Sequence, residues 1–162
     1  MTTAHTGEIT RGVRSAQPVS VEQIQTPAPL VEVSRVVRNL DRMSDYARAH
    51  GLQLRPHVKT HKTPVIGAAQ IRRGVVGLTC ATPREMEVMS DVANDLLLAH
   101  PPMGVKVQRL LDLPRSVSVT IALDSAEAID HVAAAAAAAN RPIRVYVELD
   151  VGMRRVGVGI PA

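Results

Sequence analysis

From Leu52 to Asp150 the chain alternates between short strand-like runs and helix-like runs, joined by only a few residues each time. No other feature limits the fold so strongly, because consecutive strands separated by a helix must lie parallel. An expected strand at Leu30–Val33 comes first. Val36, Val37, Leu40, Met43, Tyr46 and Ala47 then recur at helical spacing up to His50-Gly51, where glycine fits a helix stop. A strand over 52–59 follows, and Thr63-Pro64 supplies a cap and first-turn proline for a helix over 64–73. Val75–Cys80 is the next strand. Thr82-Pro83-Arg84-Glu85 combines a capping box with an early proline and predicts a helix start. Asp95–Ala99 is a strand, 104–113 a helix and Val117–Leu123 a strand. Asp124-Ser125-Ala126-Glu127 opens a long helix through Ala133–Ala139, a run that costs little side-chain entropy and suits tight packing on a sheet. Ile143–Asp150 is the last strand, and a glycine-spaced loop, Gly152–Gly159, follows it.

A parallel α/β chain can be a doubly wound sheet or a (β/α) barrel, and strand parity separates them. Ile143, Val145, Val147 and Leu149 share one face; Arg144, Tyr146, Glu148 and Asp150 share the other. The 52–59 strand divides the same way, with Leu52, Leu54, Pro56 and Val58 opposite Gln53, Arg55, His57 and Lys59. Central strands of a doubly wound sheet are covered on both sides and read apolar on both faces. One apolar and one polar face fit a barrel, apolar toward the helices and polar toward the axis. Barrel sites lie at the C-terminal strand ends, where Lys59 and the 150–155 loop fall.

A barrel of this kind takes about 250 residues, and the chain has 162. Residues 1–25, rich in Thr, Ser, Gln and Gly, are expected to be a mostly disordered tail. That leaves 26–162 as one domain holding about five or six of eight strands, an incomplete (β/α) barrel. Two Tyr with no Phe or Trp leave no platform for stacking bases, and the net charge of +4 is scattered, so a nucleic-acid role is not expected. No apolar run reaches the length of a membrane span, and no signal peptide is recognisable. The single cysteine, Cys80, suits a reducing compartment and reads as a buried apolar thiol; a cytoplasmic protein is expected.

The stretch Arg55-Pro56-His57-Val58-Lys59-Thr60-His61-Lys62-Thr63-Pro64 carries the chemistry. Cationic neighbours and partial burial both disfavour an ammonium ion, so Lys59 should lose its proton more easily than a free lysine. A neutral amine attacks carbonyls, which makes a Schiff-base lysine the functional reading and a solvated basic loop the plain one. His57 and Arg55 share the parity of Lys59 and either line the site or pack and solvate; His57 is the candidate cofactor contact. His57 and His61 straddle the strand end rather than sharing a helix face, so no metal is assigned to them.

The segment Leu54–Pro64, with Lys59 central, resembles the cofactor-lysine motif of the D-threonine aldolase and D-serine dehydratase family. These are fold-type III pyridoxal-phosphate enzymes related to the N-terminal barrel of alanine racemase. Gly77-Leu78-Thr79-Cys80-Ala81-Thr82 with Glu85 is similar to the family's next strand and helix start. Asp95–Ala99, Leu123-Asp124-Ser125-Ala126-Glu127-Ala128, and Val147–Met153 with Arg155 resemble later segments in the same order.

The resemblance implies that Lys59 binds pyridoxal 5'-phosphate covalently and that Arg155 sits near the phenolic oxygen of its ring. Arg154 stands beside it where the family usually has a small residue. It implies a lyase acting on a small D-3-hydroxy amino acid, by retro-aldol cleavage or by dehydration, working as a homodimer. The intact family also uses a divalent metal, whose ligands lie in a C-terminal β domain without counterpart here. The chain alone is therefore expected to be inactive or nearly so. A non-catalytic cofactor-binding protein, or a truncated product without activity, is the alternative.

Overall fold

A computed structural model of the chain describes Ile9, Gln17 and residues 19–159. Most of the expected 1–25 tail lies outside the described residues. Ile9 is buried, packed with Val37 and Ala69.

Helix α1 spans Val33–Ala49, and Gly51 follows at φ +64°, a conformation open to glycine. Helix α2 spans Pro64–Ile71. Strand β1 (Leu78–Cys80) leads to α3 (Pro83–Met89), β2 (Asp95–Leu98) to α4 (Val105–Leu111), and β3 (Ser118–Leu123) to α5 (Ala126–Ala138). β4 (Arg144–Val147) completes the main sheet, and β5 (Leu149–Asp150) pairs with β6 (Val158–Gly159) in a separate two-stranded sheet. Thr82 and Ser125 cap as the sequence calls for, whereas Thr63 makes no side-chain cap bond and the Glu85 carboxylate bonds the Ala81 amide rather than that of Thr82. Thr82 Oγ1 accepts the amide of Glu85 at 3.2 Å, and Ser125 Oγ that of Ala128 at 3.3 Å.

The main sheet runs β1-β2-β3-β4, all parallel, so each strand pairs with its predecessor in sequence. A doubly wound sheet reverses direction at a switch point. No reversal occurs here. The fold is the curved wall of an incomplete (β/α) barrel, with no closed barrel among the described residues. Register assigns the faces: Leu78 lies beside Leu96 and Val119, and Cys80 beside Leu98 and Ile121. These side chains are buried in one core with Met86 and Met89 of α3, Val107 and Leu110 of α4, and Ala128 and Val132 of α5. The opposite face carries Thr79, Leu97, Thr120 and Arg144 in one row. Helix α1 packs outside this core, with Val37 against Ala69 of α2 and Asp41 accepting from Arg73 Nε at 2.7 Å.

Three expectations change. Leu30–Val33 is not a strand: Val33 begins α1, and Leu30 and Val31 are 70% and 61% exposed. With no neighbouring strand to bond, alternation alone does not make a ladder. The 52–59 strand is extended backbone joined to β1 by one bridge, His57 to Thr79. Val58 N–H donates to Thr79 O and Thr79 N–H to Pro56 O, each at 2.8 Å, but Pro56 has no N–H to continue the ladder. Finally, the strand over 143–150 breaks at Glu148, beyond which the chain pairs with Val158 instead. In the alanine run only Ala135, Ala136 and Ala139 touch the core, and the remaining faces are exposed.

β2 and β4 begin on one charged cluster at the N-terminal end of the wall, which the extended 52–59 segment joins through Arg55. Asp95 accepts from Arg55 Nη1 at 2.5 Å and from Arg144 Nη2 at 2.7 Å. Burial works against ionisation of Asp95, and the two guanidinium groups outweigh it, holding the carboxyl below its usual range. Arg55 shares the parity of Lys59 but serves this opposite end of the wall.

Candidate functional site

Lys59 directly follows Val58, which is fully buried in the main core. The strand-like segment ends there because the backbone turns: the amides of His61 and Lys62 both donate to Val58 O, at 3.1 and 2.8 Å. Lys62 closes the turn at φ +52°. Lys59 itself is exposed. The burial assumed from its place at a strand end is absent, because the chain leaves the wall at that residue.

The basic residues around Lys59 are each held. His57 Nδ1 accepts the amide of Lys59 at 3.3 Å, which leaves the ring proton on Nε2 when the ring is neutral. Burial, and then the charge of Lys59, hold His57 below its ordinary value. His61 Nδ1 accepts the amide of Thr63 at 3.2 Å, and burial lowers its pKa also. Lys62 Nζ lies 3.1 Å from Oε1 of Glu85, whose side chain is 6% exposed. Glu85 Oε2 accepts the amide of Ala81 at 2.7 Å. Among the described residues, Lys59 Nζ makes no hydrogen bond or ion pair. Cys80 lies beneath, fully buried, its thiol pushed up to about 12 by burial and then by Glu85. It is the inert apolar thiol expected.

The two lowered histidines make a pH signature. Each folded value lies below the ordinary 6.5, so below that pH the unfolded chain binds more protons than the folded one. Their contribution is complete above about pH 6.5 and is lost as pH falls through the folded values. The urea midpoint should therefore fall between pH 7.5 and 5.5, and His61→Gln should flatten that decline. An equal slope in the variant would remove His61 from the account.

Arg155 lies in the loop between β5 and β6. Asp150 organises this loop by accepting the amides of Gly152 at 2.8 Å and Arg154 at 3.0 Å. The amide of Arg154 first, then that of Gly152, holds the Asp150 carboxyl below its usual range. Gly157, at φ +100°, crosses so near β5 that a Cβ would stand 2.6 Å from the amide nitrogen of Asp150. Its amide donates to Asp124 Oδ2 at 3.1 Å, tying the loop to the end of β3. Arg154 and Arg155 are both exposed, and among the described residues no hydrogen bond or ion pair joins Arg155 to Lys59 or His57. The structure thus joins His57 to Lys59, while Arg155 stands on the β5–β6 loop without a bond to either. Glu85 is the residue sequence reasoning undervalued. Its place in the capping box marked it as a helix start, which gave no reason to seek a second role.

No three His, Cys, Asp or Glu side chains among the described residues gather as metal ligands. No helix among them is long and apolar enough to cross a membrane.

Residues 31–161 match the alanine racemase N-terminal domain. The chain is 32% identical over 140 residues to a 3-hydroxy-D-aspartate aldolase of Paracoccus denitrificans, covering 84% of this chain and 36% of that protein. It is 33% identical over 138 residues to a D-threo-3-hydroxyaspartate dehydratase of a Delftia species, again covering 84% and 36%. Its fold superposes on the crystal structure of D-threonine aldolase from Filomicrobium marinum with a TM-score of 0.80 at 33% identity. That match covers 86% of this chain and 38% of the other. The chain thus spans a little over a third of the length of these relatives. With the sequential parallel wall and the matching sequence over the same residues, the chain belongs to the alanine racemase N-terminal-domain family, in the group containing the D-threonine aldolases and D-3-hydroxyaspartate aldolases and dehydratases.

Proposed function

We propose that this chain is the cofactor-anchoring part of a pyridoxal-phosphate-dependent lyase for D-3-hydroxy amino acids, with Lys59 as the anchor. The observation that carries this reading is the free, exposed Lys59 amine in a turn whose other basic side chains are all engaged. An amine with no carboxylate partner is open to an aldehyde, so this residue fits the cofactor. When bound, pyridoxal phosphate supplies an electron sink for breaking a bond at or beside the amino acid's α-carbon.

The chain's own residues have narrower roles. Lys59 holds the cofactor through its side-chain nitrogen. His57 orients the Lys59 backbone through Nδ1 and offers Nε2–H as a donor. Arg155, permanently charged, is the second candidate holder, suited to an anionic oxygen. The matched relatives include an aldolase and a dehydratase, so both outcomes at the β-carbon are compatible with this part of the molecule. A divalent metal, a homodimer and a reducing cytoplasmic setting belong to the same reading. The chain on its own is inactive or nearly so; robust turnover of D-threonine by it would overturn that part.

Mixing the chain with pyridoxal phosphate and reducing with borohydride should place one stable label on Lys59, located by peptide mass mapping. Lys59→Ala should lose at least about nine-tenths of it; Lys106, also exposed and without an ion pair among the described residues, lies on α4 outside this turn and should take no specific label. A label of undiminished yield in Lys59→Ala would reject the anchor.

A further inference from the structure

We propose that Lys62 and Glu85 act together as a latch that positions Lys59, a role for Glu85 beyond capping α3. The proposal rests on the reading of Lys59 as the cofactor anchor and names what holds that anchor in place.

The turn from Val58 to Lys62 is fixed firmly at its first residue, since Val58 is fully buried and bonded to Thr79. Its far end is tied to the backbone only through the amides of His61 and Lys62 on Val58 O, and no core contact holds the Lys62 side chain. Lys62 occupies the left-handed region, at φ +52°, which side chains other than glycine, asparagine and aspartate seldom adopt without a compensating interaction. Two interactions compensate here: the Lys62 amide bond to Val58 O at 2.8 Å, and the side chain's ion pair with Glu85 at 3.1 Å. Glu85 is suited to the task because it is buried and bonded at several points. Its side chain is 6% exposed, its Oε2 is fixed on the Ala81 amide, and its own amide is fixed on Thr82. Lys62, by contrast, is 64% exposed in its side chain and belongs to no core.

Two strand ends are thereby joined across the wall. Glu85 belongs to the helix after β1, while Lys62 closes the turn after the neighbouring extended segment. With both ends of the turn held, Lys59 lies three residues from the latch and one from the core, its backbone amide directed at His57. A capping role for Glu85 needs its oxygens and its amide but not Lys62. The latch needs the opposite charge.

The test uses the full chain in two measurements. In the first, pyridoxal phosphate and borohydride report the rate of labelling at Lys59. Lys62→Met should slow it about tenfold, as displaced reacting groups do, with the urea midpoint unchanged. Lys62→Arg should restore it to within about twofold, because the charge returns. Glu85→Gln, which can still accept the Ala81 amide, should slow labelling as Lys62→Met does, and the double variant should be no slower than either. In the second, amide hydrogen exchange at His61 and at position 62 should quicken about tenfold in Lys62→Met, without cofactor.

Wild-type labelling and exchange rates in Lys62→Met would overturn the latch, as would losses that multiply in the double variant. The exchange measurement does not depend on the cofactor. If the wild-type chain takes no label at Lys59 but exchange quickens as stated, the anchor reading fails while the latch on this turn stands.

Discussion

Replacing Arg141 with methionine should lower the stability of this chain by about 4 kcal/mol, near the upper end of single substitutions. Arg141 is 5% exposed and donates to four main-chain carbonyls: Leu111, Leu113, Pro114 and Val117. These lie at the C-terminus of α4 and in the connection to β3, where helix carbonyls lack partners of their own. No carboxylate bonds this guanidinium. Burial, and then the like charge of Arg115, push it below its ordinary value, against the charge of Asp112, which favours the cation; the negative end of α4 acts in the same sense as Asp112. Methionine fills the stem but takes the side-chain donor from the buried carbonyls of Leu111, Leu113 and Val117, while Pro114 O keeps the amide of Val117. Lysine should recover only part of the loss, because one ammonium cannot serve a planar fork of acceptors. Arg115, exposed and donating to Ala139 and Asn140 at the end of α5, should cost about 1 kcal/mol when replaced by alanine. Urea unfolding of the three variants checks the ranking. An Arg141→Met chain within about 1 kcal/mol of wild type would refute the argument.

Gly77→Ala should cost about 3 kcal/mol, through steric contact with its neighbours rather than through its own backbone conformation. A Cβ at position 77 would collide with Arg55 Nη1 and come within 2.6 Å of the carbonyl oxygen of Asp95. The carbonyl belongs to a paired strand and cannot retreat. Arg55 can move only by leaving Asp95, which would then keep Arg144 alone. Breaking one arm of a part-buried charge cluster adds to the steric cost. The companion variant Arg55→Ala removes one of the two obstacles, so Gly77→Ala in that background should be cheaper by the part due to Arg55, with the Asp95 carbonyl setting the remainder. Equal costs in the two backgrounds would mean that the Asp95 carbonyl alone sets the penalty.

Legibility differed by element for physical reasons. The helices after β1 and β3 were readable because their starts are local: Thr82 and Ser125 bond amides three residues on. Parity was a partial guide to the wall: register sets Arg144 in one row with Thr79 and Thr120, but Val145 and Val147, expected to face helices, are 41% and 63% exposed. Leu30–Val33 was misread because strand pairing is decided by a neighbour and not by the segment. At the site, the motif around Lys59 was the plainest signal, yet its exposure was not foreseen. Where the chain leaves the wall depends on Pro56 and the left-handed Lys62, a conformation the sequence pattern does not declare. The reach from Lys62 to Glu85 spans two elements, and so escaped a reading made along the chain. Arg141 escaped likewise, being read only as part of a helix stop.

The sequential strand order also bears on how the molecule comes to be. Every strand of the main sheet finds its partner in the strand one helix earlier, so no pairing waits for a distant part of the chain. Loop closure is then a series of short, similar steps, which keeps the entropic barrier of each one modest. During synthesis each new β/α unit meets a finished surface on which to settle, and becomes the surface for the next. β4, with Val145, Tyr146 and Val147 exposed by 41%, 54% and 63%, is such a surface. Growth in one direction makes the Lys59 turn, beside the first strand of the wall, among the earliest parts able to reach its final shape.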